Sequence, residues 1–232
     1  QIFYLGEEIF LNVVGEQDGS FDTNDYIEFY GSPNNGKFDT SLYKTGEQPN
    51  EEISLFSDDA YYFLTISQTG FGKRYQNTTL NSAGLTPENH IIYTSSINFA
   101  DSYYAGMFVL EGMTFSDYIE GEGYLGNTFS LGTTQTRSVP TPNFVNSTNY
   151  KANIQTYIAG RSNASSTNPQ GNNHHLNVSI GNLIIKDTLY RGYKTVRINQ
   201  NLNNLTLGNS TDIKFSSIND IGAITDFQAV GY

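Results

Sequence analysis

The chain of 232 residues carries 12 Lys and Arg against 23 Asp and Glu, a formal net charge of −11, and has neither cysteine nor tryptophan. That charge, with no basic cluster to interrupt it, excludes a nucleic-acid backbone as the natural partner. The missing cysteine excludes disulfides and a thiol nucleophile from this segment. No run of about 18 apolar residues occurs, so no helical membrane span is expected. The 17 Tyr and 15 Phe, set among Asn, Ser, Thr and Gly, suit pleated, half-buried surfaces joined by turns.

The sequence begins at Gln1 with no initiator Met or signal-like stretch, and it reads as an excised or processed piece of something longer. The first informative stretch is "GEQDGSFDTNDYIEFYG", Gly15 to Gly31. Asp18, Asp22 and Asp25 fall around Gly19 with the fifth, ninth and twelfth spacing of a calcium loop whose sixth residue is glycine. Glu16 can take the third position, but the first is Val14, which has no side-chain oxygen, and a strand rather than a helix follows. An Asp-Gly turn with Asx-type bonds to local backbone, closing a hairpin into a strand over 26–30, accounts for the same residues. That turn is the preferred reading, and no metal is assigned.

Next, "AYYFLTI" places Tyr62, Leu64 and Ile66 on one face and Tyr61, Phe63 and Thr65 on the other. The polar, Gly- and Asn-rich passage from Ser67 to His90 marks a boundary near residue 80. The expected organisation is an N-terminal β subdomain over 1–80 and a jelly-roll-like sandwich over 81–232. "SDYIEGEGYLG" holds a turn at most, because its glycines at 121, 123 and 126 oppose a helix. Glu120 and Glu122, two apart, would share a face if extended. Glycosidase pairs come from separated segments, so this spacing points to no catalysis.

"YKANIQTYIAG" is strand-like from Tyr150 to Gly160, and "GRSNASSTNPQGNN" (160–173) is an exposed loop tip. His174 and His175 are adjacent and, on a strand, face opposite ways, so they cannot chelate one ion together. They are expected as polar residues at a strand edge, and His90 is the remaining histidine. "LNVSIGNLIIKD" is a hairpin: Leu176, Val178 and Ile180 alternate, Gly181-Asn182 turn with positive φ angles, and Leu183 and Ile185 lead back. "KTVRINQ" (194–200) and "TDIKFSSI", with Ile213 and Phe215 in phase, complete the strands. Six Asn-x-Ser/Thr triplets start at Asn77, Asn146, Asn163, Asn177, Asn204 and Asn209; in an Asn- and Thr-rich chain they carry little information on glycosylation. The composite expectation is all-β, an antiparallel sandwich or jelly roll. No G-x-S-x-G elbow or phosphate loop occurs. No catalytic or cofactor-binding residue is assigned.

Several blocks resemble a known family. "GEQDGSFDTNDYIEFYG", "DTSLYKTGEQPN", "SLFSDDAYYFLTI" and "GKRY" are similar to the N-terminal region of gingipain-like C25 cysteine peptidases, specifically the sortase-like PorU group of the Bacteroidetes type IX secretion system. "SDYIEGEGYLG", "NHHLNVSIGN", "YRGYK" and "TDFQAVGY" resemble that family's second β region more loosely. The resemblance implies a secreted, surface or outer-membrane parent in which β-sandwich modules precede a caspase-like domain bearing a Cys-His pair. No active-site residue of the family maps onto this chain. The partners it implies are the downstream catalytic domain and secreted cargo proteins. The expected role is a non-catalytic β module. An independent carbohydrate-binding module, using the many tyrosines as stacking platforms, is the alternative; a stand-alone hydrolase using Asp, Glu and His ranks third.

Overall fold

The structure is a computed structural model that describes residues 1–110, 113–145, 149–202 and 207–232. Asn146 and Asn204, two of the six acceptor triplets, lie outside the described residues. The fold is all-β, its named strands pair antiparallel apart from one isolated parallel bridge between Leu11 and Arg74, and it forms two compact units: 1–34 with 56–88, and 35–55 with 89–232.

The first unit holds β1 (Ile2–Tyr4), β2 (Glu7–Ile9), β3 (Asn12–Val14), β4 (Tyr26–Glu28) and β5 (Tyr62–Leu64). Its three-stranded sheet runs β2-β1-β5, while β3 and β4 form a separate hairpin. Leu5 and Gly6 between β1 and β2 take φ of +50° and +82°, the positive pair that lets a two-residue turn follow the strand twist. Few apolar side chains are buried here. Ile2 and Leu11 are, but Tyr30, Phe63 and Phe71 are 82%, 68% and 82% exposed.

The second unit continues with β6 (Ser102–Ala105), β7 (Phe108–Leu110), β8 (Met113–Thr114), β9 (Glu122–Leu125), β10 (Phe129–Ser130), β11 (Thr134–Pro140), β12 (Ala152–Gly160), β13 (His174–Ile180), β14 (Leu183–Tyr190), β15 (Thr195–Leu202), β16 (Ser210–Ser217) and β17 (Phe227–Val230). Two four-stranded sheets, β10-β17-β12-β15 and β11-β16-β13-β14, make the sandwich. Ile154, Ile158, Val196, Ile198 and Val230 from the first sheet meet Leu176, Val178, Ile180, Tyr190 and Phe215 from the second in one buried cluster. Each such side chain contributes about 1.5–3 kcal/mol by leaving water.

The predicted hairpin is present as β13 and β14, but its turn differs in detail. Gly181 takes φ +56° whereas Asn182 does not have a positive φ, the sign pattern of a type II′ rather than a type I′ turn. A bulge between Val178 and Ser179 shifts the register. One extra residue on β14, Ile185, is left without a paired partner and turns into the core, 6% exposed.

The glycine-rich stretch after Ser116 is not only a turn, because Glu122–Leu125 pairs with β6. A Cβ on Gly123 would sit 3.1 Å from Pro49 Cγ and 3.2 Å from the Tyr43 hydroxyl, so the glycine admits a close neighbour to the strand. Residues 35–55 form no strand. Some of their polar groups are satisfied within the segment, where buried Asp39 accepts from Leu55 N at 2.8 Å and the Gln48 amide donates to Gly36 O at 2.5 Å, while Tyr43 OH donates outward to Glu122 O at 3.0 Å.

Candidate functional site

The alternation that sends Leu176, Val178 and Ile180 inward extends back two residues to His174. The ring is therefore at the core, fully buried, on a central strand rather than at an edge. Its Nδ1 lies 2.5 Å from Asp226 Oδ1, and its Nε2 lies 2.9 Å from Ser162 O and 2.7 Å from Gly192 O. Both ring nitrogens are therefore engaged, and the Asn173 amide also lies 3.2 Å from Nε2. The other Asp226 oxygen accepts from Ser217 Oγ at 2.7 Å and from the Gln228 amide at 2.9 Å.

The network continues outward. Tyr190 OH donates to Gln228 Oε1 at 2.8 Å, and its ring stacks on His174 with centroids 4.6 Å apart. Burial pushes the Tyr190 hydroxyl pKa well above its usual range. Asn173 donates to Ser162 O at 3.0 Å and accepts from Gly192 N at 2.8 Å. The predicted exposed tip over 160–173 is thus exposed only in part: Gly160, Ser162 and Asn173 at its ends are buried members of the core. A Cβ on Gly160 would lie 2.0 Å from Gly192 O, so only glycine lets the strand approach so closely.

Although Ser217, His174 and Asp226 are the residue types of a hydrolytic triad, the serine bonds the aspartate and not the imidazole. None of the three is more than 1% exposed. A nucleophile must touch its base and reach a substrate. Chemically this cluster can hold the two sheets together.

His175 points the other way, as expected. Its Nδ1 is 2.7 Å from Asp220 and its Nε2 is 2.8 Å from Asp187, which also accepts from the Asn177 amide at 2.9 Å. Partial burial alone would lower the imidazole pKa, but the hydrogen bonds to Asp220 and Asp187 outweigh it and raise the value. Asp187 is held below the usual carboxylate range by the bond to His175 and then by Asn177. His90 lies apart, its Nδ1 2.8 Å from Asn89 and its ring 4.1 Å from Tyr150.

The acidic loop of the first unit is a local turn joining β3 to β4, which pair antiparallel from Asn12↔Glu28 to Val14↔Tyr26. A short 3-10 turn spans Glu16–Asp18, and Gly19 at φ +80° ends it. Asp18 accepts from Ser20 N at 2.9 Å and Asp25 accepts from Asp22 N at 2.7 Å, the Asx-type bonds expected. Among the described residues, no three His, Asp or Glu side chains come together as metal ligands.

Glu120 and Glu122 have separate tasks. Glu120 accepts from Thr195 N at 2.9 Å and Thr195 Oγ1 at 2.6 Å, and Glu122 from Tyr103 OH at 2.6 Å and Ile119 N at 3.1 Å. Burial, then the bond to Glu122, raises the Tyr103 pKa. The paired tyrosines divide: Tyr61 and Tyr103 are 67% and 44% exposed, while Tyr62 and Tyr104 are half-buried. Tyr104 lies under the Arg161 guanidinium at 3.8 Å. Burial lowers the Arg161 pKa to about 10. A groove of about 570 Å³ runs beside the β13–β14 turn, lined by Gly181, Asn182, Leu183, Gly208 and Asp212 among others. No part of the histidine networks lines it.

No protein-family model matches the chain, and no curated protein sequence does. Among solved structures the chain is weakly similar to dimeric latent PorU from Porphyromonas gingivalis, with 15% sequence identity and a TM-score of 0.45. That likeness covers 77% of this chain and 16% of the PorU chain, so the present chain spans about a sixth of that protein. Among the described residues, no helix is long and apolar enough to cross a membrane.

Proposed function

We propose that this chain is a non-catalytic β module of a secreted, surface-associated protein of the gingipain-like, PorU type, and that it works by binding polypeptide. Its partners on this reading are the catalytic domain of the same parent or secreted cargo. The sequence blocks that resemble that family supply the parent. The binding role rests on one observation: the first unit holds its apolar side chains out rather than in. Phe63, Phe71 and Tyr30 are each at least two-thirds exposed. Large exposed apolar surface of this kind marks interaction sites in soluble proteins. The core polar groups support the same reading, since His174, Asp226 and Ser217 are fully occupied in joining the two sheets.

The test is to screen the chain against an array of extended peptides and a glycan array, and to assay it on Arg-, Lys- and general peptide substrates. Peptide binding without turnover is expected. Turnover abolished by point changes in this chain would overturn the reading. So would glycan binding that disappears on Tyr→Ala changes leaving the fold intact, which instead fits the carbohydrate-binding alternative.

A further inference from the structure

The two edges of the β2-β1-β5 sheet differ. Gln1 and Thr65 exchange both backbone bonds, each at 2.9 Å. In an antiparallel ladder such pairs alternate with pairs that exchange none. Ile2↔Leu64 and Tyr4↔Tyr62 are therefore non-exchanging pairs, and the N–H and C=O of Tyr62 and Leu64 point away from β1. Among the described residues, β5 ends its sheet and no strand pairs with that side of it. The opposite edge is closed: Lys73 Nζ donates to Glu8 O at 2.9 Å, and Lys73 N to the Glu8 carboxylate at 2.8 Å. A lysine placed across a strand edge is a common way to block further pairing. The β5 edge has no such guard, and its Phe63 and Leu64 are 68% and 65% exposed.

Charge narrows the choice of occupant. The first unit contains ten Asp and Glu against two Lys and Arg, a net charge of −8 within a chain whose total is −11. Asp58 and Asp59 stand just ahead of β5 in sequence. A second copy of the chain would bring two such units together and is disfavoured by their repulsion.

We propose that the β5 edge receives an extended segment of a partner protein, antiparallel or parallel, with Lys or Arg flanking alternating β-branched or aromatic residues. Main-chain bonds to Tyr62 and Leu64 supply affinity, and the flanking cations supply selectivity. This rests on the peptide-binding reading above and assigns it a location.

The full chain is titrated against a fluorescein-labelled peptide of alternating Thr and Val flanked by lysines, followed by anisotropy. Two control peptides replace the lysines by glutamates or carry N-methyl groups on alternate residues. Binding that weakens as salt rises, and that falls by about tenfold or more for each control, is expected from lost ion and hydrogen-bond pairing. Leu64→Pro removes an N–H that β1 does not use, so the sheet is retained and binding is lost. Leu64→Lys keeps the N–H but sets a cation on the edge, and it too abolishes binding; unchanged circular dichroism and melting certify both variants.

Equal affinity of the native chain and both variants would overturn the edge assignment while leaving peptide binding intact. Indifference to N-methylation would do the same. A self-associated dimer dissolved by Leu64→Pro would also overturn it, by naming the second copy as occupant. If the array yields peptide ligands but none responds to these changes, the site lies elsewhere; if it yields none, the binding role itself fails.

Discussion

At the scale of single residues, the most consequential group is His174. A histidine and an aspartate buried together lose several kcal/mol of hydration each, which only close pairing and complete hydrogen bonding restore. Here each ring nitrogen and each Asp226 oxygen has a partner. Removing one member leaves polar atoms of the other without a partner in the core. Asp226→Asn or His174→Ala is therefore expected to cost about 1–3 kcal/mol for each buried polar group left without a partner, measured by chemical denaturation with a probe in the sandwich. Replacing both by apolar residues of matching volume should recover part of that loss. An equal or larger loss in the double variant would show that packing, not the polar pairing, sets the cost.

At the scale of elements, β13 grips one segment from both faces. His174 holds Asp226 on the inner side and His175 holds Asp220 on the outer side, so the passage from β16 to β17 is fastened at both ends. The outer fastening responds to pH. The His175 pKa is raised on folding, so its contribution is complete below the ordinary imidazole value of about 6.5 and is lost as pH rises through the folded value. The Asp187 pKa is lowered, so its contribution holds above about 3.9 and disappears as pH falls through the folded value. Melting temperature should decline on the alkaline side of about 6.5, and His175→Ala should flatten that decline. A native and a variant profile of the same slope would remove this role from His175.

At the scale of the whole molecule, residues 75–89 have no buried member and no strand. Leu80 and Leu85 are 89% and 71% exposed. Exposed chain that makes few contacts opens at little cost and is cut first. Brief treatment with subtilisin should cleave between Gln76 and Asn89 and leave the sandwich over 98–232 intact, read by mass spectrometry. First cuts inside the sandwich strands would contradict the division into two units.

Much of the sandwich was legible from period-two alternation, because a strand with one face on a core must repeat apolar residues every second position. β12, β13, β15 and β16 fall where that pattern stood, and so did the β13–β14 turn. The Asx-type turn around Asp18 and Asp25 was also legible, since its bonds span only two or three residues. What the sequence alone determined was local: which residues extend, where they turn, and that His174 and His175 face apart.

Only the tertiary structure decided which face met a core and which strand came to end its sheet. The partners of His174 come from Ser162, Gly192 and Asp226, up to 52 positions away, and no local pattern encodes such a meeting. The role of Gly123 likewise depended on Tyr43 and Pro49 arriving from elsewhere. Hydrogen bonding and burial at these points are properties of assembled sheets, whereas alternation is a property of a single strand.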